Sequence, residues 1–139
     1  MARAYREIEL AVRIGKSGGG LSHVLATVAA AGVNVLAYCA YSDWTGSVVL
    51  LVTQNAGAAL RALTAAGFDC KANSVVLVGA PDRVGAAAQL GARLGAAGVE
   101  ILYSYASSTG GDQFFAVFKT SDDDRAIQVL QAEAVARAA

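Results

Sequence analysis

Hydrophobic and polar residues change their period along the first third of the chain. From Ile8 to Ile14 every second residue is apolar, which is the pattern of a half-buried strand. Glycines at 15 and 18–20 interrupt it, and from Leu21 to Val28 the apolar residues recur at the spacing of one helix face. Gly32 then stands where a helix end needs a left-handed residue. The pattern predicts a strand followed by a helix.

The next segment predicts a hairpin and a second helix. Val33–Tyr41 is rich in β-branched and aromatic residues, Ser42–Gly46 has turn chemistry, and Ser47–Thr53 is apolar again. Two such runs around a short turn indicate a β-hairpin. Ala56–Ala66 is an Ala/Leu-rich helix, and Gly67 ends it.

The same pattern occurs twice. Residues 29–53 match residues 95–119, with Gly32 falling on Gly98 and Ala40 on Ala106. Internal repetition of this kind defines the architecture. The second copy therefore predicts a helix near Arg83–Ala97, a strand Val99–Ser107, a turn Ser108–Asp112, a strand Gln113–Lys119 and a helix near Asp122–Ala136.

One long strand joins the two copies. Phe68–Val78 contains no breaker, and Pro81 ends the run because proline supplies no donor to a sheet. We expect this strand to be the last of the first copy and the first of the second. The predicted modules are residues 5–73 and 74–139, with the final strand of the second missing or shared.

A βαββαβ order predicts the ferredoxin-like α+β arrangement, an antiparallel sheet with both helices on one face. The other face would be open. By parity it carries four apolar residues, Leu36, Tyr38, Leu77 and Leu102. A face this apolar is unusual for a surface exposed to solvent. We therefore expect a second subunit to cover it, giving a homodimer.

Composition excludes several classes of protein. Lys plus Arg and Asp plus Glu both number 11, so the basic stripe that nucleic-acid binding needs is not visible. No apolar run reaches the roughly 18 residues that span a bilayer. Cys39 and Cys70 are too few for a disulfide framework. They are best interpreted as small buried side chains in a reducing compartment, so we expect a cytoplasmic protein.

Two segments carry a family resemblance. "GGGLSHVLATVAAAGVNVLAY" and "APDRVGAAAQLGARLGAAGVEILYSYA" resemble the ACT-domain pattern of a glycine-rich loop, an apolar helix and Ala-Gly-Val/Ile-Asn-Val/Ile. The resemblance covers roughly residues 6–131, and small stand-alone tandem ACT proteins are similar throughout. It implies a regulatory module that binds an amino acid or related metabolite between the first loop and the strand after the first helix of a neighbouring module.

In the first copy this site would consist of the loop residues and the start of the next strand, namely Lys16, Ser17, Gly18, Gly19, Gly20, Leu21, Asn34 and Val35. Glycines at a helix start leave backbone N–H groups open to a carboxylate. Asn34 offers both a donor and an acceptor. The alternatives are that the glycines only permit a tight loop, that Asn34 only closes the turn, and that Lys16 is a solvated loop residue.

In the second copy, Asp82 and Glu100 could capture an ammonium group and Arg83 an anionic one. Equally, Asp82 could cap the following helix, with Glu100 and Arg83 facing solvent.

Two further residues carry little chemistry. His23 is the only histidine and has no partner at metal-ligand or catalytic spacing, so it is expected on the surface or packed on a loop. Trp44 lies in the hairpin turn and either marks a contact surface or folds onto the sheet edge.

We therefore expect a regulatory small-molecule-binding protein with no catalytic residues, no metal and no cofactor. The alternative is a structural oligomerisation module without a ligand. An enzyme would need a pair of titratable groups in a cleft, and the sequence offers only scattered carboxylates and one histidine.

Overall fold

Six strands and four helices follow one another in the predicted order. The structure, a computed structural model, describes residues 2–15 and 20–138, with side chains described to residue 131. The strands are β1 (Arg3–Ile14), β2 (Val35–Asp43), β3 (Gly46–Thr53), β4 (Asp69–Pro81), β5 (Ile101–Ser108) and β6 (Gln113–Thr120). The helices are α1 (Gly20–Ala30), α2 (Ala56–Ala65), α3 (Ala86–Ala96) and α4 (Asp123–Ala138).

The chain divides into two units. The first unit is Ile8–Asn73, and the second unit is Ser74–Ala139 together with Met1–Glu7. Both β1 and β4 run through this division, so each of these strands contributes one part to each unit.

The first unit has the strand order β2-β3-β1-β4, with β3 antiparallel to both β2 and β1. Its core confirms the predicted alternation, because Leu10 and Val12 of β1 pack with Val24 and Val28 of α1. Leu63 of α2 joins the same cluster. Both helices therefore lie on one side of the sheet.

The second unit repeats this order as β5-β6-β4-β1. Val76 and Val78 of β4 pack with Leu94 of α3 and Leu130 of α4. Ala4 of β1 belongs to the same cluster and is 1% exposed. The N-terminal part of β1 thus takes the place of the fourth strand in this unit. The predicted ferredoxin-like α+β arrangement is confirmed.

Polar contacts attach that N-terminal strand to the helix α4. The Arg6 guanidinium donates to the Ser74 hydroxyl and to the Asp124 carboxylate. The Ser74 hydroxyl in turn donates to Asp123 Oδ2 at 2.7 Å. The Gln131 side chain donates to the Ala4 carbonyl. These contacts join β1, β4 and α4 within the second unit.

The apolar residues expected on one helix-free face do not share a face. Tyr38 pairs with Leu51, which packs in the core under the helices, so Tyr38 lies on the helix side of β2. Leu77 pairs with Val117 and alternates with the core residues of β4, so it lies on the helix-free side. The parity prediction was wrong for Tyr38.

A β-bulge explains this error. The pairing of β2 with β3 shifts between Val35 and Ala37, and β5 shifts at the equivalent step around Leu102. A bulge adds one residue to a strand, and the alternation after it changes face. The two leucines at these steps, Leu36 and Leu102, are 49% and 54% exposed.

Candidate ligand site

The helix α1 begins beside the predicted glycine loop. Residues 16–19, which include the predicted site residues Lys16, Ser17, Gly18 and Gly19, lie outside the described part of the chain. Gly20 is the first residue of α1, and a Cβ added to it would lie 2.8 Å from Ile14 Cγ2. Close packing against β1 therefore gives Gly20 a structural reason to be glycine. Leu21 packs against the core of the first unit.

Asn34 lies after the other end of α1. Its carbonyl accepts from the Gln54 N–H at 3.0 Å, which ties it to the end of β3. The side chain is exposed, and no described residue forms a hydrogen bond with its amide group. The backbone of Asn34 thus holds the turn, while the side-chain donor and acceptor stay available. Val35, the next residue, is half-buried and packs against the core.

The two halves of the predicted site lie at opposite ends of one helix. α1 runs from Gly20 to Ala30, and Asn34 follows its C-terminal end. Eleven residues at about 1.5 Å each make a helix roughly 16 Å long. A ligand of amino-acid size cannot contact both ends. Within the first unit alone, the structure does not bring Gly20 and Asn34 to one site.

The second unit repeats this separation. Asp82 and Arg83 precede α3, and Glu100 follows its far end. The Glu100 N–H donates to the Ser121 hydroxyl at 3.0 Å, and its carbonyl accepts from the Ser121 N–H at 2.9 Å. The Glu100 backbone therefore closes the same turn as the Asn34 backbone.

Asp82 is engaged by the hairpin of its own unit. Its carboxylate accepts from the Ser108 hydroxyl, and its N–H donates to the Asp112 carbonyl at 2.9 Å. The helix cap is Gly85, without a side-chain cap, so Asp82 does not cap α3. Ser108 was not predicted as its partner. The only sequence signal is its position at the start of the second hairpin turn, beside the loop that follows β4.

Other candidate residues have ordinary surroundings. His23 is exposed and meets Phe68 edge to face, with ring centroids 4.9 Å apart. The described residues contain no group of three or more His, Cys, Asp or Glu side chains placed to hold a metal ion. Burial raises the pKa of the Cys70 thiol, and the nearby Asp69 carboxylate adds to the effect.

Trp44 projects from the tip of the β2–β3 hairpin and is 86% exposed. Its neighbours form a tight turn in which the Asp43 carboxylate accepts from the Thr45 N–H at 2.8 Å and from its hydroxyl at 2.5 Å. These bonds lower the pKa of the Asp43 carboxyl below its ordinary value. Trp44 therefore stands on an ordered tip and does not fold onto the sheet edge. In the described part of the chain, no helix combines the length and hydrophobicity needed to cross a bilayer.

Solved structures with a similar fold cover almost the whole chain. Protein BT0572 from Bacteroides thetaiotaomicron has a TM-score of 0.87 at 25% identity, over 94% of this chain and 90% of that one. The ligand-free regulatory subunit of aspartate kinase from Thermus thermophilus has a TM-score of 0.66 at 14% identity, over 94% and 95%. Aspartate kinase from Synechocystis reaches 0.71 at 16% identity, over 95% of this chain and 26% of that one. The two kinase structures support the fold alone.

A sequence comparison identifies the family of the second half. No curated protein matches the chain. Residues 74–134 match the family model described as ACT domain, and their strand and helix order is the one described above for the second unit. The chain therefore contains an ACT domain at residues 74–134.

Proposed function

We propose that this chain is a regulatory, non-enzymatic receptor for a free amino acid or a related metabolite. The ACT domain at residues 74–134 and the repetition of its strand order in the first unit support this proposal. The observation that carries it is the Asn34 side chain, whose amide group forms no hydrogen bond with any described residue. One amide offers the donor and the acceptor that a zwitterion needs.

The ligand would bind between subunits. Because Gly20 and Asn34 flank a helix of eleven residues, one small molecule can meet both only if they come from different copies of the module. The loop Lys16–Leu21 of one subunit would then face Asn34 and Val35 of its partner. Backbone N–H groups at the start of α1 would bind the carboxylate, and the Asn34 amide would bind the amino group.

The strand β2 supports a homodimer. The order of the strands places β2 at an edge of the first unit, and its outer side pairs with no strand in the described part of the chain. Its sequence VLAYCAYSD has one charged residue, at the far end, and carries the exposed side chains of Leu36, Tyr38 and Tyr41. Edge strands that must stay single usually carry charges or proline. An apolar edge whose single charge lies at its far end therefore favours pairing with a second copy, and we propose a homodimer in the cytoplasm.

The second unit would contribute less to binding. The Asp82 carboxylate and N–H are both engaged by the hairpin that contains Ser108 and Asp112. A ligand there would have to replace these bonds. We propose that Asp82, Arg83 and Glu100 form at most a weaker second site.

A thermal-shift screen with the twenty amino acids tests the proposal. Binding to the folded state raises the apparent stability, by about 2.7 kcal/mol at a ligand concentration one hundred times the Kd. We expect one or a few amino acids to raise the Tm. No shift with any of them at millimolar concentration would favour the alternative, an oligomerisation module without a ligand. A dimer that ignores metabolites would fit that alternative.

A further inference from the structure

A surface pocket in the first unit is lined by three charged and three apolar residues. It has a volume of about 120 Å³ and is lined by Ala11, Val12, Arg13, Val48, Asp69 and Lys71. These residues come from the strands β1, β3 and β4, which are neighbours in the sheet. None of them belongs to the site proposed above.

The pocket opens on the side of the sheet away from the helices. Leu10 and Val12 pack in the core with α1 and α2, so Arg13 alternates onto the opposite side. Arg13 pairs with Val48, which pairs in turn with Tyr41. This row of three residues crosses β1, β3 and β2 beside the hairpin tip.

The three charges meet here without forming ion pairs. Arg13 and Lys71 are cations and Asp69 is a carboxylate, yet no salt bridge joins any of them to another side chain in the described part of the chain. The lining residues carry two cations and one carboxylate, and the Asp43 carboxylate at the hairpin turn also interacts electrostatically with Arg13. This combination suits a ligand that carries a carboxylate and, close to it, a hydrogen-bond donor.

The hairpin turn orients Arg13. Its guanidinium donates to the Thr45 hydroxyl at 3.2 Å, and that hydroxyl donates to Asp43 at 2.5 Å. One of the five guanidinium donors is used by this bond, so others remain for a planar carboxylate. A side chain held in this way loses less entropy when it binds a ligand.

The second unit shows that the fold does not require this arrangement. The register places Gly79, Phe115 and Ser107 where the first unit has Arg13, Val48 and Tyr41. The equivalent row therefore has no cation. The same strand order therefore forms without a cation at this position.

We propose that the Arg13 pocket binds a small organic acid with a donor group on the carbon next to the carboxylate. Arg13 and Lys71 bind the carboxylate, and Asp69 accepts from the neighbouring ammonium or hydroxyl group. Ala11 and Val48 contact the short carbon skeleton. This site is independent of the loop and Asn34 site, and either can exist without the other.

Three ligands with one carbon skeleton test the proposal. Propionate, L-lactate and L-alanine differ only in the group beside the carboxylate, which is hydrogen, hydroxyl or ammonium. Each is titrated into the ¹⁵N-labelled full chain, and the amide shifts of residues 11–13, 48 and 69–71 are followed. We expect saturable shifts there, with alanine bound about two- to fivefold more tightly than propionate, since an exposed ion pair contributes that much.

Two substitutions separate the roles of the charges. Arg13→Gln should weaken the binding of all three ligands about tenfold, because it removes a charge-assisted hydrogen bond to the carboxylate. Asp69→Asn should remove the preference for alanine, and propionate should bind with the same or a higher affinity. Arg61→Gln, the same charge change on the exposed surface of α2, should leave binding unchanged.

The outcomes distinguish this site from the one proposed for Asn34. Asn34→Ala should not change the shifts at the Arg13 pocket. Saturable shifts confined to Leu21 and Asn34, insensitive to Arg13→Gln, would overturn the pocket and leave the receptor proposal standing. The pocket proposal would also be overturned if none of the three ligands gave saturable shifts at residues 11–13. An equal loss of affinity in Arg61→Gln would overturn it as well.

Discussion

Thr53 and Thr120 occupy equivalent positions at the ends of β3 and β6, yet only Thr120 has a partner for its hydroxyl among the described residues. Thr120 donates to Asp123 Oδ1 at 2.5 Å and accepts from the Asp122 N–H at 3.2 Å. The Thr53 hydroxyl is buried and has no hydrogen-bond partner in the described part of the chain. Ala56 stands three residues after Thr53, where the second unit has Asp123. The repeat therefore keeps the threonine but not its acceptor.

This difference predicts opposite results for one substitution. Thr120→Val removes a bonded hydroxyl and leaves Asp123 short of a donor, so it should destabilise the protein by about 1–3 kcal/mol. Thr53→Val removes a hydroxyl that bonds to nothing described, and β-branched valine suits a strand. It should be neutral or stabilising. Urea denaturation of both variants checks this, and equal losses would contradict it.

Two helix glycines should respond oppositely to alanine. A Cβ at Gly95, within α3, meets nothing within 4 Å, whereas at Gly20 it would lie 2.8 Å from Ile14 Cγ2. Gly95→Ala should stabilise by about 0.5–1 kcal/mol through helix propensity. Gly20→Ala should destabilise by about 1–3 kcal/mol through overpacking.

Ile14→Ala provides the control for that clash. If the clash is the cause, the double variant Ile14→Ala/Gly20→Ala should lose less stability than the sum of the two single losses. Additive losses in thermal denaturation would mean that Gly20 is needed for another reason, such as the loop that precedes it.

The N-terminal strand should stabilise the second unit selectively. Ala4 is 1% exposed in that core, so Ala4→Lys buries a charge and should destabilise by several kcal/mol. Tyr5 is 46% exposed, so Tyr5→Lys is the matched control. Hydrogen exchange should show α3 and α4 losing protection in Ala4→Lys while α1 and α2 keep theirs. Uniform loss across both units would refute this assignment of the strand.

The alternation of hydrophobic and polar residues predicted much of the fold. It failed where a bulge adds a residue to a strand and where one strand is shared by both units. Gly32 and Gly98, which the sequence repeat aligns with each other, both have φ of 74° at helix ends. The structure therefore repeats where the sequence does. Tyr38 was assigned to the wrong face because parity cannot foresee the extra residue at Leu36. Glu9, a polar residue between the apolar positions of β1, is fully buried, which the alternation alone does not predict.

The candidate site was less accessible to sequence reasoning. The loop and Asn34 were singled out from a resemblance, but the length of α1 that separates them within one unit becomes evident only in three dimensions. The pairing of Asp82 with Ser108, 26 residues away, depends on how a hairpin tip meets a loop. Arg13, Asp69 and Lys71 lie on two strands far apart in sequence, and no spacing pattern marks them as neighbours.

The pKa of Asp43 gives a pH-dependent test of the hairpin turn. Thr45 hydrogen bonds hold this carboxyl below its ordinary value of 3.8. A lowered folded-state pKa contributes stability above the unfolded value, and the contribution is lost as pH falls through the folded one. Thr45→Val removes the hydroxyl but keeps the N–H bond, so the NMR titration midpoint of Asp43 should rise part of the way back. An unchanged midpoint would show that the hydroxyl contributes nothing.

The receptor proposal depends most directly on Asn34. Isothermal titration with the amino acid that gives the largest thermal shift should be carried out on the wild type, Asn34→Ala and Glu100→Ala. Glu100 occupies the equivalent position in the second unit and serves as the matched control. We expect Asn34→Ala to weaken binding about tenfold or more, since it removes the hydrogen bond that the ligand's charged amino group donates to the Asn34 side chain, and Glu100→Ala to have little effect. Wild-type affinity in Asn34→Ala would contradict the proposed site.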